Sequence, residues 1–240
     1  MPRIRLIIIL SLLPVSFSYG ADNYKIGDQL YIWAVSGLNL RTGPGTTFPV
    51  IKGIPFGEKV EVVEKSSQTF TFTLISSIDQ NGTSTKIDPI NLKGNWVKIK
   101  IDTTIGYVID QYLLVLSPAI INKKMDYDLY FNITSMDTTW INPEVENGNE
   151  PDYCVLAHHD SRITGSICFG GMESSKSYAF SGYTIEEVLV IFGGLGFINY
   201  DEFTIRKNWQ EKIELHDGVI CDWTIQAKDN KVYVYMECSC

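Results

Sequence analysis

The stretch from Leu38 to Gly45, Leu-Asn-Leu-Arg-Thr-Gly-Pro-Gly, constrains the fold of this chain more than any other. Its two leucines alternate with Asn39 and Arg41, which predicts a strand with one buried face. Gly43-Pro44-Gly45 then ends the strand, because proline fixes its own φ and the glycine after it can adopt a positive φ. The stretch therefore predicts a short β-strand that closes in a tight turn.

The residues around this strand extend the pattern. Phe48-Pro49-Val50-Ile51 and Ile54-Pro55-Phe56-Gly57 follow the turn, and a further strand is predicted from Glu58 to Glu64. Together with the first stretch they resemble the bacterial SH3 domain, a small β-barrel common in secreted and envelope proteins. The resemblance covers about residues 26–116. It implies that Asn39 and Arg41 shape the loop and turn, with contact to a ligand as the second possibility.

The segment 65–93 departs from that family, in which the corresponding connection is usually a short loop. Here it is long and polar, with an Asn81-Gly82 turn signal, and we interpret it as an insertion. Within it Thr69 to Ile75 alternates well enough to predict one strand of an extended hairpin. After the insertion, Val97, Ile99 and Ile101 are predicted to fill the barrel interior, so that Trp96 faces away from it.

The second half of the chain differs in charge and in predicted structure. Residues 118–240 carry 9 Lys/Arg against 19 Asp/Glu, whereas residues 21–117 carry 9 of each. An acidic half repels phosphates, so no nucleic-acid partner is expected. A helix is predicted to begin at Thr184, which forms a capping box with Glu187, and to end at Gly193-Gly194. Strands are predicted at Tyr127–Ile133, Cys154–Ala157, Ile163–Phe169, Trp209–Leu215, Val219–Gln226 and Lys231–Cys240.

These elements predict a mainly β chain. An SH3-like β-barrel at residues 21–117 precedes a small α+β domain at residues 118–240, with an antiparallel sheet and one short helix. Residues 1–20 resemble a signal peptide, because Arg3 and Arg5 precede an apolar run and Ser18-Tyr19-Gly20 offers a cleavage site. The apolar run is too short for a permanent membrane span. We therefore expect an exported protein of the periplasm or the extracellular space, without stable membrane insertion.

All five cysteines lie in the second half, and in an exported protein disulfides are the leading interpretation. Simple hairpin registers pair Cys154 with Cys168 and Cys221 with Cys238, which leaves Cys240 over. A zinc site built from Cys154, His158, His159 and Cys168 is the alternative. It lacks a C-x₂-C pair, and adjacent histidines point to opposite faces of a strand. No metal and no cofactor are predicted.

Cell-wall cysteine peptidases often follow bacterial SH3 domains, so the resemblance raises the possibility of such an enzyme. The nearest match, Cys221-Asp222-Trp223, falls within a predicted strand and has no histidine after it. Cys154 and His216 are suitably separated but lack the Ser-Gly context of such enzymes, and a thiolate needs an adjacent base or helix dipole. No catalytic residue is therefore predicted.

The best candidates for ligand contact are Trp96, Tyr107 and Tyr112, because aromatic rings combine a large contact area with a polar group. Any of them could instead be packed beneath the insertion. The sequence thus predicts a non-catalytic binding protein of the cell envelope. By resemblance, its ligand is a peptidoglycan stem peptide or a protein segment. The alternatives are an envelope hydrolase with its active site in residues 118–240, which the barrel targets, and a sensor whose barrel contacts protein only.

Overall fold

The computed structural model describes residues 24–76, 88–118, 139–141, 153–159, 162–170, 173–198, 204–209, 211–216 and 221–239. The signal peptide at residues 1–20, the Asn81-Gly82 turn and the strand at Tyr127–Ile133 are predictions that lie outside these ranges. Within the described part of the chain, no helix is long and apolar enough to cross a membrane.

The first half folds into a curled antiparallel sheet of seven strands, as the alternating patterns predict. They are β1 Gln29–Ile32, β2 Leu38–Arg41, β3 Val50–Ile54, β4 Lys59–Ile75, β5 Ile90–Ile101, β6 Thr104–Ile109 and β7 Leu113–Leu114. Their order across the sheet is β3-β2-β6-β5-β4-β1-β7. β1 begins at Gln29, because a turn at Gly27, with φ +92°, precedes it.

The barrel interior holds the residues that the period-2 patterns assign to it. Leu40 is fully buried while Asn39 is exposed, and Val97, Ile99 and Ile101 belong to the same buried cluster. Alternation along each strand thus gives this sheet one apolar face, and the sheet curls so that this face lies inside.

The predicted insertion is largely an extension of the barrel's own hairpin. β4 is 17 residues long and pairs with β5 from Glu61–Lys100 as far as Ile75–Ile90, with three shifts in register. The strand predicted at Thr69–Ile75 is confirmed as the end of β4. Most of the described part of segment 65–93 is therefore strand rather than a polar loop.

The second half forms an eight-stranded antiparallel sheet and one described α-helix. The strands are β8 Thr139–Ile141, β9 Tyr153–His159, β10 Ile163–Gly170, β11 Glu173–Ser181, β12 Thr204–Trp209, β13 Lys212–His216, β14 Cys221–Lys228 and β15 Lys231–Ser239. Their order is β12-β13-β14-β15-β11-β10-β9-β8. The predicted strands within the described ranges are confirmed, although β13 begins at Lys212 and not at Trp209. The strands β8, β11 and β12 were not predicted. The Glu-Ser-Ser-Lys-Ser start of β11 lacks the β-branched residues that mark strands.

The helix α1 spans Ile185–Gly194, and the predicted capping box is present. Thr184 Oγ1 accepts from the Glu187 amide at 3.2 Å, and the Glu187 carboxylate accepts from the Thr184 amide at 2.9 Å. Burial raises the pKa of Glu187 above its ordinary value. The apolar side of α1 packs on the sheet, where Phe192 is fully buried.

The hydrophobic core crosses the predicted domain boundary at residue 117. One buried cluster combines residues of α1 and the second sheet with seven side chains of the first half. Those seven are Trp33, Leu74, Ile75, Ile90, Leu92, Leu114 and Leu116. The two sheets therefore share apolar packing instead of standing apart as separate cores.

Cys221 and Cys238 form a disulfide, and they lie directly opposite each other in the register of β14 and β15. Cys168 also forms a disulfide, and the register of β9 and β10 places Cys154 opposite it. The Cys154–Cys168 pair stays a prediction. Because a disulfide sulfur is not a thiolate, Cys168 cannot serve as a ligand in the alternative zinc site.

Candidate functional site

A cleft of about 570 Å³ lies between the barrel and the C-terminal end of α1. One wall is the segment that joins β1 to β2, and the other is the end of the helix with the residues that follow it. The lining residues are Trp33, Ala34, Val35, Ser36, Gly37, Leu38, Tyr112, Gly193, Gly194, Gly196 and Ile198.

The barrel wall of the cleft is a tight turn that depends on Gly37. Its amide donates to the Ala34 carbonyl at 2.8 Å, and its φ is +77°. A Cβ at this position would lie 2.5 Å from the carbonyl oxygen of Ile54. Only glycine combines this backbone conformation with so close an approach, so the residue sets the path of the turn.

The helical wall consists of the glycine-rich end of α1. A Cβ on Gly194 would lie 2.6 Å from Cε3 of the Trp33 indole, so the helix backbone rests directly against that ring. The sequence pattern explains Gly193 and Gly194 by helix termination alone. The structure adds a second reason for them, which is close contact between the helix backbone and the barrel.

Two aromatic residues of the barrel complete the lining. The Trp33 indole is almost fully buried, donates through Nε1 to the Leu116 carbonyl at 2.7 Å, and meets the Phe56 ring edge-on. Tyr112 stacks on Phe72 with ring centroids 5.6 Å apart. Burial raises the pKa of Tyr112 to about 12, so its phenol stays protonated at neutral pH.

The turn that carries Tyr112 is held by a buried carboxylate. Asp110 is fully buried at the start of a 3-10 turn that spans Asp110–Tyr112. Its oxygens accept from the Tyr24 hydroxyl at 2.8 Å and from the Asn95 amide at 2.7 Å. These bonds tie the turn both to the first described residue and to β5, which fixes the position of Tyr112 at the cleft.

The lining of the cleft is mostly apolar. Among the described lining residues, the side chains are apolar except for Ser36, Tyr112 and the indole N–H of Trp33. None of these lining residues carries a carboxylate, imidazole, amine or thiol.

Of the five residues predicted to contact a ligand, Tyr112 lines the cleft, whereas the other four are not part of its lining. Arg41 lies opposite Tyr107 in the register, and its Nη1 donates to the Phe48 carbonyl at 2.8 Å. The Lys98 ammonium lies 5.6 Å from the centroid of the Tyr107 ring. Arg41 thus holds the turn that follows β2, as the family resemblance implies. Ligand contact by Asn39, Arg41 and Tyr107 stays a prediction.

Trp96 is not the exposed residue that the strand phase suggests. Its indole points away from the barrel interior but is only 4% exposed, and it meets the Phe70 ring edge-on at 5.8 Å between centroids. The cause is the extension of β4. After the shift in register between Lys65 and Thr69, Phe70 lies opposite Gly94, which is two residues from Trp96 on the same face of β5. Of the two roles considered for this indole, packing beneath the insertion is the one observed.

Trp96→Ala is therefore expected to lower stability and to leave binding unchanged. Removing a buried indole leaves a cavity beside Phe70, and the expected loss is about 3 kcal/mol. Chemical denaturation and sedimentation with purified cell wall measure the two effects on one variant. Lys100→Ala, at an exposed position of the same strand, is the control. If the variant has normal stability but attaches more weakly to cell wall, Trp96 contacts the ligand instead.

Sequence reasoning missed Trp33 and the end of α1 as parts of a site. The pattern around Trp33 predicts only a strand covered on both faces. A signal was present in the small-residue run at 193–196, which is longer than helix termination requires. Its contact with Trp33 joins residues 161 positions apart (194 against 33). Periodicity carries no information on pairing over that distance.

Comparison with protein families identifies the barrel. Residues 36–113 match the family model of the bacterial SH3 domain, as the residue pattern indicates. Searches of curated proteins and of solved structures find no match to the chain. The matched segment includes Gly37, Leu38 and Tyr112 of the cleft, whereas the wall formed by α1 lies outside it.

Proposed function

We propose that this chain, which carries a bacterial SH3 domain at residues 36–113, is a binding or targeting protein of the cell envelope. Its ligand is a peptide segment that enters the cleft between the barrel and α1. The observation that carries the proposal is the cleft itself, whose volume of about 570 Å³ lies within the range of small-ligand sites, about 300–1,000 Å³.

The lining favours a short extended peptide. Glycines at 37, 193, 194 and 196 keep the walls free of bulky side chains, so that a ligand backbone can approach the protein backbone closely. Tyr112 and Ser36 add hydroxyl groups that can donate and accept hydrogen bonds. A peptidoglycan stem peptide and a protein segment both offer a backbone that can lie close to these walls and form such hydrogen bonds. The resemblance to wall-binding SH3 domains favours the stem peptide.

A binding protein of this kind works in an oxidising compartment, and its cleft needs no catalytic group. The Cys221–Cys238 disulfide is typical of exported proteins. The alternative, an envelope hydrolase, needs a nucleophile or an acid–base pair beside the bound ligand. Ser36 and Tyr112 bring hydroxyl groups to the lining, but no described lining residue carries the imidazole, carboxylate or amine that would activate a hydroxyl as a nucleophile.

Val35→Arg tests the cleft. Val35 stands at the rim with 68% of its surface exposed, so arginine at this position obstructs the opening without disturbing the core. Sedimentation with purified peptidoglycan and titration with a synthetic stem peptide measure binding. We expect binding to weaken by about tenfold or more, which is about 1.4 kcal/mol, because the arginine side chain clashes with a ligand that enters through this opening.

Ile26→Arg is the matched control for this test. Ile26 is 67% exposed, it lies in the same half of the chain, and it is not a lining residue of the cleft. The two variants add the same charge at equally exposed apolar positions. If both bind peptidoglycan and stem peptide as the unaltered protein does, the cleft is not the ligand site.

A further inference from the structure

Arg41 stands on the outer face of the barrel, at the end of β2, with no carboxylate on the strands beside it. Leu40 before it is buried, so the side chain of Arg41 points outward. In the register its direct neighbours are Val50 of β3 and Tyr107 of β6, and neither can neutralise a guanidinium. The segments around Arg41, which are β2, β3, β6 and the turn at 42–49, contain no Asp or Glu.

The three lysines on the strands around this position, at 52, 98 and 100, each have a carboxylate nearby. The pairs are Lys98 and Glu64 at 3.2 Å, Lys52 and Asp102 at 3.9 Å, and Lys100 and Glu61, which lie opposite each other in the register. The charges of these lysines are thus balanced on the protein itself. Arg41 leaves this part of the barrel with one unbalanced positive charge.

The guanidinium of Arg41 has donors to spare and is already held in place. Its Nη1 donates to the Phe48 carbonyl at 2.8 Å. An arginine carries five N–H donors in a planar fork, so this bond uses one of them. The others can form the paired hydrogen bonds that arginine makes with a carboxylate. Because the bond to Phe48 restrains the side chain, less conformational entropy is lost when a ligand binds.

Apolar side chains flank the guanidinium. Val50 is 47% exposed, and Phe48, whose carbonyl Arg41 binds, is 43% exposed. Directly opposite residues share a face of the sheet, so Val50, Arg41 and Tyr107 form one row across three strands. We call Arg41, Phe48, Val50 and Tyr107 the arginine face. None of these four residues lines the cleft.

We propose that the arginine face binds the C-terminal carboxylate of a peptide whose last side chain is apolar. In such a residue the carboxylate and the side chain are attached to one Cα. Cross-strand neighbours have Cβ atoms about 4.5–5.5 Å apart, so a carboxylate on Arg41 leaves that side chain beside Val50. Within an extended peptide, the next residue on the same face as an acidic side chain is about 7 Å away, which fits less well.

The charge of this surface selects among ligands. A cationic ligand is repelled by the guanidinium, and an uncharged ligand leaves it without a counter-charge. A nucleic acid needs several cations to neutralise its phosphates, whereas here one cation is unbalanced. One carboxylate next to one apolar side chain matches what the arginine face offers. The proposal goes beyond the peptide cleft, since it concerns another surface and a charged end of the ligand.

Titration calorimetry of the full-length protein with N-acetylated tripeptides tests this site. The probes are acetyl-Gly-Gly-Val with a free carboxylate and the same peptide as its C-terminal amide. We expect the carboxylate form to bind and the amide to bind about tenfold more weakly or worse, because hydrogen bonds between charged groups are the stronger kind. Arg41→Gln should weaken binding of the carboxylate form by about tenfold, since glutamine can still donate to the Phe48 carbonyl but carries no charge.

Two further variants make the comparison specific. Lys100→Gln removes the same charge from an exposed position of the barrel and should bind the carboxylate peptide normally. Val50→Glu places a carboxylate opposite Arg41, so it should compete with the ligand and weaken binding by about tenfold. Val50→Gln, which has nearly the same shape without the charge, should bind more tightly than Val50→Glu. If Arg41→Gln is poorly folded by circular dichroism, the two Val50 variants replace it.

Several outcomes overturn the proposal. They are no binding of the carboxylate peptide, equal binding of the amide, and undiminished binding by Arg41→Gln or, where that variant is poorly folded, by Val50→Glu. Equal affinity for acetyl-Gly-Glu-Val-amide, whose carboxylate belongs to an internal side chain, overturns the assignment to a peptide terminus. Val35→Arg should keep its affinity for acetyl-Gly-Gly-Val while it loses the stem peptide, and loss of both would place the carboxylate in the cleft instead.

Discussion

A chain that ends at residue 118 is expected to lose cooperative folding, although it contains the whole segment that matches the bacterial SH3 domain. Seven side chains of the first half belong to the core shared with α1 and the second sheet. Burying one such side chain contributes about 1.5–3 kcal/mol. Their total is comparable with the net stability of a typical protein, about 5–15 kcal/mol. The isolated barrel therefore lacks apolar cover that its fold requires.

The measurement compares the shortened chain with the full-length protein by thermal circular dichroism and by binding of a hydrophobic dye. A broad, sloping transition and strong dye binding are expected of the shortened chain, because it exposes Trp33, Leu92 and Leu116 to water. The control is a full-length protein cut at residue 119 with both parts retained, which should keep the sharp transition. A shortened chain that melts as sharply and at the same temperature as the intact protein would show that the barrel is independent.

The parts of this fold that could be predicted are those fixed by local chemistry. The alternation around Leu40 identifies β2, and the Thr184–Glu187 capping box places the start of α1. The turn at Asp229 and Asn230, both with positive φ, sets the pairing register of β14 and β15. This register brings Cys221 opposite Cys238. Each of these features depends on residues that are close in sequence, so the sequence pattern is sufficient to predict them.

The parts that could not be predicted depend on which elements meet. Phe70 covers Trp96 only because β4 continues past the barrel with a shifted register, and an alternating pattern does not reveal a shift. The strand β11 begins with a serine-rich stretch, and its hydrophobic signal is limited to Tyr178 and Phe180, so the pattern does not identify it without β10 and β15, which pair with it on both sides. The cleft needs Trp33 against Gly194, a contact between the two halves. Only one of the five predicted contact residues, Tyr112, lines it.

Phe192→Ala is expected to destabilise the protein by about 4–5 kcal/mol, near the upper end for loss of a buried phenylalanine. Phe192 is fully buried and stands at the centre of an aromatic cluster. Its ring lies 5.2–5.7 Å, centroid to centroid, from four others, which are those of Tyr178, Phe180, Phe197 and Trp223. Aromatic pairs contribute about 0.5–1.5 kcal/mol each beyond area burial, so alanine forfeits both the burial and several ring contacts.

Chemical denaturation measures this loss against two controls. Phe48→Ala makes the same chemical change at a ring that is 43% exposed, and surface substitutions of this kind stay within about 0.5 kcal/mol. Phe192→Leu keeps most of the volume and should cost less than about 1.5 kcal/mol. Because Gly193 and Gly194 follow Phe192 directly, the alanine variant should also bind stem peptide more weakly, as the end of α1 loses its support. A loss of stability no larger than that of Phe48→Ala would mean that the aromatic cluster does not hold the helix in place.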